Sequence, residues 1–245
     1  MNQPPVQLLE WDSEFLGFRV GRLAVQQLSV ARLVILMDQS RAAGFRLIYL
    51  IADPADATTV ATANRAGVWL ADRKVTFARK TNIPLPVRAT TAVGSGDILN
   101  ATVVTPRLEK LAWQSGEFSR FRRDVQFAPH VFVDLYHQWL QASFTGELTQ
   151  VVLTYLSPTT DGETGLLTLA EQVGVARIGL LAVDSAARRQ GIGQQLVEAA
   201  RKQAQHWNCS CLQVVTQYDN GPACRFYQQC GFELVQEEHI YHLWL

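Results

Sequence analysis

"DSAARRQGIGQQL", residues 184–196, decides the interpretation of this chain because it joins two segments of different periodicity. The preceding "VARIGLLAV", residues 175–183, is an aliphatic run typical of a strand. The following segment carries apolar residues on one helix face, at 196, 197, 200, 204 and 207, and predicts a helix over 194–207. Two glycines and two arginines therefore lie in a strand-to-helix turn.

A glycine-containing turn at the start of a helix is suited to bind an anion. The first helical turn has unpaired backbone N–H groups and the positive end of the helix dipole, and glycine lets a ligand approach without a Cβ in the way. Arg188 and Arg189 add charged donors. The third glycine of a dinucleotide-binding motif is replaced by Leu196, and the G-K-[ST] of an ATP-binding loop is absent. The turn predicts a phosphate site of another class.

The overall charge excludes several classes of partner. Lys plus Arg and Asp plus Glu both number 22, so the formal net charge is zero, and 48% of the 245 residues are hydrophobic. A nucleic-acid or membrane-surface binder usually has a basic excess. The N-terminus has no basic region followed by an apolar run, and no segment is long enough to span a membrane. We therefore expect a folded cytoplasmic protein that binds neither nucleic acid nor membrane.

The four cysteines all fall late in the chain, at 209, 211, 224 and 230. Without an export signal, disulfides are not expected. The spacing does not match paired zinc knuckles, so the residues are interpreted as small buried side chains and no metal site is predicted.

Local patterns divide the chain into two α/β regions. Residues 1–80 are predicted to form an N-terminal domain, with helices over Ser29–Ala43 and 56–67, a strand over 46–53, and a strand, turn and strand over 68–80. Residues 81–107 contain prolines and a Gly-Ser-Gly and predict a linker or irregular extended segment. Residues 108–245 are predicted to form the second domain. Its predicted helices cover 107–124, 131–144 and 221–231, its predicted strands cover 149–156, 163–171, 175–183 and 211–217, and one or two strands follow.

The two regions resemble each other in the order of their elements. Residues 45–79 and 210–244 each carry a strand, a polar turn with proline, a short helix, a glycine and then extended segments, which indicates a duplicated unit. The helix before the first copy opens with "AVQQLS", without glycine, so only the second copy is predicted to have the anion site.

The stretch from Arg188 to Gly193 resembles the R/Q-x-x-G-x-G/A signature of the GNAT superfamily of N-acetyltransferases, and the resemblance extends over residues 149–245. It implies an α/β fold with a mixed, splayed central sheet flanked by helices, and acetyl-CoA as cosubstrate. It also implies that backbone amides of the turn hold the CoA pyrophosphate and that the preceding strand contacts the pantetheine arm. The implied cofactor-binding residues are Leu181, Ala182, Val183, Arg188, Arg189, Gln190, Gly191, Ile192, Gly193, Gln194 and Asn220.

A second motif carries the implied chemistry. Residues Asn220, Ala223, Tyr227, Gly231 and Phe232 match the pattern N-x-x-A-x-x-x-Y-x-x-x-G-F of the same family. The resemblance implies that Asn220 contacts the cofactor and that Tyr227 is the catalytic residue, which protonates the departing thiolate. The alternative for Tyr227 is a core aromatic side chain.

The general base is left open by the sequence. Many members of the family place a glutamate on the strand that contacts pantetheine, and "ARIGLLAV" contains no carboxylate. A water chain, Glu171, His130 and His239 stay as unranked alternatives.

Two further stretches narrow the resemblance. "WDSEFLGFRVGRL", residues 11–23, and "LAWQSGEFSRFRRD", residues 111–124, resemble the dTDP-fucosamine acetyltransferases, which carry a degenerate, partial GNAT-like domain before the active one. The acceptor implied is the amine of a nucleotide-linked amino sugar, with Arg120 and Arg122 as substrate-binding residues and Arg123 beside them. The alternative for these arginines is a solvated helix face.

Other functions also remain open at this point. They are acetylation of another small-molecule or protein amine, and acyl-CoA binding without catalysis. The sequence leaves a homodimer open as well.

Overall fold

A computed structural model of the chain describes residues 6–86, 96–158 and 162–245. The described strands are β1 Gln7–Leu8, β2 Arg19–Ala24, β3 Phe45–Ala52, β4 Trp69–Lys80, β5 Asp97–Asn100, β6 Val151–Leu156, β7 Glu163–Gln172, β8 Val175–Val183, β9 Cys211–Gln217 and β10 Glu233–Trp244. The described α-helices are α1 Glu10–Leu16, α2 Val30–Ala42, α3 Ala57–Arg65, α4 Pro106–Ser115, α5 Arg120–Arg123, α6 Pro129–Phe144, α7 Ile192–His206 and α8 Gly221–Gln229. None of these helices combines the length and the apolar character needed to cross a bilayer.

The chain divides into two compact units that do not follow chain order. The first unit contains Met1–Val75, Gln217–Asp219 and Gln236–Leu245, and the second contains Thr76–Thr216 and Asn220–Val235. Strands β4 and β10 each contribute residues to both units. The sequence divided the chain at residues 80 and 108, and it assigned the last ten residues to the second region. The boundaries at residues 80 and 108 stay a prediction.

The first unit is a mixed sheet with its strands in the order β1-β2-β3-β10-β4. Strands β2 and β3 are parallel, whereas β3 and β10 are antiparallel. One face of this sheet packs with α2 and α3 into an apolar core. The largest buried members are Leu23, Leu28, Leu33, Leu36, Phe45, Ile48, Leu50, Tyr241 and Leu243.

Helices α2 and α3 of the first unit each begin at a side-chain cap, whereas α1 does not. The Ser29 hydroxyl accepts from Arg32 N at 3.3 Å, and α2 ends before Gly44, which has φ +78°. Asp56 caps α3 by accepting from Thr59 N at 3.1 Å. The helices predicted over Ser29–Ala43 and 56–67 are therefore confirmed.

The strand, turn and strand predicted over 68–80 are wrong, because β4 is continuous from Trp69 to Lys80. Two charged residues in the middle of β4 pair with carboxylates of β10. Arg73 pairs with Glu237 at 3.0 Å and Lys74 pairs with Glu238 at 2.9 Å. Opposite charges facing each other across strands stabilise a sheet, so these side chains do not interrupt it.

The second unit has its strands in the order β4-β9-β8-β7-β6-β5. Strands β5 to β8 are successively antiparallel, and β8 and β9 are parallel. Helix α7 packs against β6, β7 and β8, and α4 packs against β7, β8 and α6. The amphipathic pattern of α7 buries Ile192, Leu196, Val197, Ala200 and Ala204. Strands β6 to β9 lie where the sequence predicts them, and the last segment forms the single strand β10.

Part of the predicted linker over 81–107 is ordered. Asp97–Asn100 forms the edge strand β5, paired with Leu153–Leu156. At the other end, Thr81 is fixed to the second unit by hydrogen bonds to Ser210 O at 3.1 Å and Cys209 O at 2.7 Å. Residues 87–95, with the first two residues of the Gly-Ser-Gly, lie outside the described residues.

Candidate functional site

The turn between β8 and α7 is held by Asp184 at its start. The carboxylate accepts from Ala186 N at 3.0 Å and from Gln114 Nε2 at 3.2 Å. The Ala186 hydrogen bond first, and then Gln114 and the charges of Lys110 and Arg188, hold the pKa of Asp184 below its usual value. Asp184 therefore stays ionised at neutral pH and keeps the short 3-10 turn Ser185–Ala187 in place.

Gly191 gives the turn its shape and leaves the first amides of α7 uncapped. Its φ of +79° lies in the left-handed region that favours glycine. Helix α7 begins at Ile192, and among residues 6–86, 96–158 and 162–245 no side-chain cap is found for it, whereas Ser29 caps α2. The N-terminal N–H groups of α7 are thus available to an anion, as the sequence predicts.

The second glycine of the turn serves packing. A Cβ at Gly193 would lie 3.1 Å from the ring of Phe226 on α8. The group that comes close to Gly193 is therefore the Phe226 ring of the protein. A larger residue here would displace α8, next to Tyr227. For this reason Gly191, rather than Gly193, is the suitable position for a test of cofactor binding.

The side chains of the turn make contacts within the protein. Arg188 Nε donates to Val183 O at 3.1 Å, and its Nη2 lies 3.5 Å from Gln114 Oε1. Gln194 Nε2 donates to Pro86 O at 2.8 Å. Arg189 has a positive φ of 65°. Arg188 and Gln194 are thus held by contacts within the protein, and the backbone amides at the start of α7 are the groups that the turn presents on the α7 side.

Strands β8 and β9 separate beside the turn. Their pairing extends from Val175↔Cys211 to Ile178↔Val214, although β8 continues to Val183 and β9 to Gln217. Leu181, Ala182 and Val183 lie beyond the last pair, although on their other side they pair with Leu167, Leu166 and Gly165 of β7. The backbone groups of this stretch that do not point to β7 face a gap on the β9 side. Unpaired strand backbone of this kind can hydrogen-bond an extended ligand. This is the splayed sheet that the sequence predicts.

A β-bulge accounts for the separation. On β7 a single residue, Thr168, lies between the pairs Leu167↔Leu181 and Leu169↔Ile178, and it faces two residues of β8, Gly179 and Leu180. The Thr168 hydroxyl accepts from Leu180 N at 2.8 Å and replaces a backbone partner. Bulges bend a strand and increase its twist. This one lies directly after the last β8–β9 pair, and the sequence analysis did not identify it.

Tyr227 lies on α8 in an aromatic environment. Its ring centroid is 5.3 Å from that of Phe226, 5.7 Å from Phe232 and 6.0 Å from Phe77. Burial, and to a smaller extent Cys230 and Cys224, raise the pKa of the phenol well above its usual value. Among residues 6–86, 96–158 and 162–245, no hydrogen bond is found for its hydroxyl. The group is thus a neutral phenol at neutral pH, whether it acts as an acid or as a core side chain.

Asn220 caps the helix that carries Tyr227. Its Oδ1 accepts from Ala223 N at 3.2 Å, with Pro222 in the first turn. The capping contact gives Asn220 a structural role. The contact of Asn220 with the cofactor stays a prediction.

The two arginines predicted to bind substrate lie in different surroundings. The guanidinium of Arg120 lies 4.8 Å from the ring centroid of Phe121. Arg122, whose guanidinium is 5.3 Å from the Phe132 ring centroid, lines a cleft of about 350 Å³. The other lining residues are Ser185 and Arg188 from the turn after β8, Lys110, Trp113 and Gln114 on one face of α4, and Glu117 two residues beyond its end.

This cleft was missed in the sequence, although a signal for it exists. Residues 110, 113, 114 and 117 follow the i, i+3, i+4, i+7 spacing of one helix face. Because they are mostly polar, the pattern indicates a solvent-facing side of α4, and it does not show that the turn after β8 closes that side into a cleft.

The candidates for the general base lie apart from one another. Glu171 lies near the end of β7, and its side chain accepts from Gly174 N at 2.7 Å in the turn to β8. His130 is exposed in the first turn of α6. His239 lies in the first unit, with its Nε2 3.3 Å from Glu237 Oε1. None of these positions identifies a base. Within the described parts of the chain, no group of three His, Cys, Asp or Glu side chains could hold a metal ion.

Comparisons with known proteins agree with this geometry. The sequence profile of the acetyltransferase (GNAT) family matches residues 109–232, slightly more than half of the chain. No curated protein matches the chain by sequence.

Solved structures share the fold at low sequence identity. A GCN5-related N-acetyltransferase from Sphaerobacter thermophilus has a TM-score of 0.62 and 13% identity over 98% of this chain and 76% of that one. A tandem GNAT protein from the clavulanic acid biosynthesis pathway has a TM-score of 0.57 and 14% identity, covering 87% and 69%. A glucosamine N-acetyltransferase region of a fungal multi-domain β-N-acetylglucosaminidase has a TM-score of 0.58 and 13% identity, covering 97% and 31%. At these identities the likeness supports the fold alone.

Proposed function

The chain belongs to the acetyltransferase (GNAT) family, and on this premise we propose that it transfers the acetyl group of acetyl-CoA to the amine of a nucleotide-linked amino sugar. The observation that carries the proposal is the uncapped start of α7 beside the gap between β8 and β9. The family is that of N-acetyltransferases; the acceptor and the role of each residue belong to the proposal.

The second unit has the groups that acetyl-CoA would need. The amides after Gly191 would hold the pyrophosphate. The backbone groups of Leu181–Val183 that face the gap would hydrogen-bond the pantetheine amides, apart from Val183 O, which accepts from Arg188. Acetyl-CoA supplies an acetyl group activated as a thioester. The amine nitrogen forms a bond to the acetyl carbon, the carbon–sulfur bond breaks, and the amine loses a proton.

Tyr227 would supply the proton that the leaving thiolate needs. Its raised pKa keeps the hydroxyl protonated at the pH of the reaction, which is a requirement for a general acid. The same burial makes the phenolate costly, so the residue must regain its proton before the next turnover.

The corresponding place in the first unit is filled by the chain itself. Asp56 Oδ2 accepts from Gln27 N at 2.8 Å, and the Thr59 hydroxyl accepts from Leu28 N at 3.0 Å, just before α2 begins. The Thr59 hydrogen bonds hold the pKa of Asp56 below its usual value, so a carboxylate occupies the position that an anion would take. Strands β2 and β3 pair along the whole of β2, from Arg19 to Ala24, and leave no gap. We therefore assign acetyl-CoA to the second unit alone.

Two points support an amino sugar as the acceptor. Arg122, one of the two predicted substrate-binding arginines, lines the cleft beside the glycine turn. In addition, a fungal region described as a glucosamine N-acetyltransferase has this fold.

The proposal is tested by thiol release from acetyl-CoA with a panel of amines. The panel contains dTDP- and UDP-linked amino sugars, the corresponding free amino sugars, a polyamine and a peptide with a free N-terminus. We expect turnover with a nucleotide-linked amino sugar and roughly tenfold or greater loss of kcat/KM with the free sugar, because charged contacts to phosphate are lost. Equal activity with the free sugar, or turnover with the peptide alone, would contradict it.

A further inference from the structure

We propose that the cleft lined by Lys110, Trp113, Arg122 and Arg188 binds the diphosphate of the acceptor, on the opposite face of the sheet from the helix whose start holds CoA. This inference rests on the proposed function and assigns to the acceptor an arginine, Arg188, that the sequence assigned to the cofactor. The ligand class is a nucleoside diphosphate.

The charge of the cleft favours such a dianion. Three cationic side chains line it, and Glu117 is the one carboxylate among the lining residues. Within the described part of the chain, no salt bridge involves Lys110, Arg122 or Arg188. Asp184 lies near Lys110 and Arg188, but its oxygens already accept from Ala186 N and Gln114. The three cations therefore lack full compensation, and a diphosphate would supply it.

Trp113 gives a second, independent indication of a ligand. Its indole Nε1 is buried, and among the described residues it has no hydrogen-bond partner, although the side chain lines the cleft. An indole N–H normally has an acceptor when it is buried, because an unsatisfied donor costs about 1–3 kcal/mol. Because the nitrogen has no exposed surface, a phosphate or ribose oxygen in the cleft would satisfy it only when the indole rotates toward the cleft.

The cleft and the proposed CoA site lie at different places in the second unit. Helices α4 and α7 both pack against β7 and β8 but make little contact with each other, so they lie on opposite faces of the sheet. The cleft lies on the α4 side, whereas the uncapped amides belong to α7. Arg188 donates to Val183 O and lies at Gln114 of α4, which brings its guanidinium to the cleft.

The test is calorimetric titration of thymidine 5′-diphosphate, and separately uridine 5′-diphosphate, into protein saturated with CoA. We expect one nucleotide site per chain, with the dissociation constant raised roughly tenfold or more by Lys110→Gln or Arg122→Gln, because a charge-assisted contact is lost. Trp113→Phe should also raise it, since the N–H is lost while an aromatic ring, smaller than the indole, remains at this position. Arg123→Gln is the matched control, because it removes the same charge from the same short helix outside the cleft.

Three results would overturn the assignment. The first is that CoA displaces the nucleotide, which would assign the cleft to the ADP part of CoA. The second is that Arg123→Gln raises the nucleotide dissociation constant as much as Arg122→Gln does. The third is that protein which binds CoA does not bind the nucleotide. The proposed function fails separately, if no amine leads to thiol release. CoA affinity, measured for each variant, should be unchanged and shows that the variant is folded.

Discussion

At the scale of single residues, Tyr227 has the properties of a proton donor and those of a core side chain at once. The rings of Phe77, Phe226 and Phe232 surround it, and its burial raises the pKa of the phenol. A buried acid keeps its proton, and a neutral acid is what a departing thiolate requires. Only a rate measurement separates the two roles.

Tyr227→Phe should lower kcat by about 10²–10⁴ with little change in CoA affinity, because the ring packing is kept and only the proton donor is lost. Single-turnover kinetics and a CoA titration measure the two quantities. Phe232→Leu is the control, since it changes the packing around the ring and leaves the hydroxyl in place. If the Tyr227→Phe enzyme kept the wild-type kcat under conditions in which chemistry limits the rate, Tyr227 would have a packing role only.

At the scale of elements, the site depends on a departure from regular pairing. Thr168 on β7 faces two residues of β8, and pairing of β8 with β9 ends at the same level. The bulge therefore bends β8 away from β9 and leaves Leu181–Val183 paired with β7 but without a partner on β9.

Thr168→Val should weaken CoA binding and lower stability together. The substitution keeps the side-chain shape but removes the acceptor of the Leu180 N–H, and an unsatisfied buried donor costs about 1–3 kcal/mol. Denaturant unfolding and a CoA titration measure the two effects. Thr154→Val is the control, because its buried hydroxyl donates to Gly165 O at 3.1 Å away from the bulge. Loss of stability in Thr168→Val with unchanged CoA affinity would separate the bulge from the cofactor site.

The elements that the sequence predicts well are those whose signals are local. Helix α2 has its apolar face, its Ser29 cap and a glycine stop within one stretch, and the turn at Gly191 is a contiguous motif. Strand β4 was broken in the prediction because Arg73 and Lys74 are neutralised by residues 164 positions away. The bulge was missed for the same reason, since no pattern within β7 or β8 shows how the two strands align.

At the scale of the whole molecule, the chain contains two versions of one arrangement with different contents. Strand, helix, strand, helix and strand follow one another as β2-α2-β3-α3-β4 and again as β8-α7-β9-α8-β10. In the first version Asp56 and Thr59 occupy the backbone amides before the helix, and the two parallel strands stay paired. In the second version the amides are uncapped and the strands separate.

The central claim, that the glycine turn of the second version is the one CoA site of the chain, is tested most directly by calorimetric titration of CoA. The wild-type chain should bind one CoA. Gly191→Ala should raise the dissociation constant roughly tenfold, because a left-handed φ costs a non-glycine residue about 1–2 kcal/mol and shifts the amides of the turn. Gly174→Ala, at a φ of +73° with no atom within 4 Å of the added Cβ, should bind CoA as the wild type does. Two CoA molecules per chain, or an unchanged affinity in a folded Gly191→Ala variant, would contradict the claim.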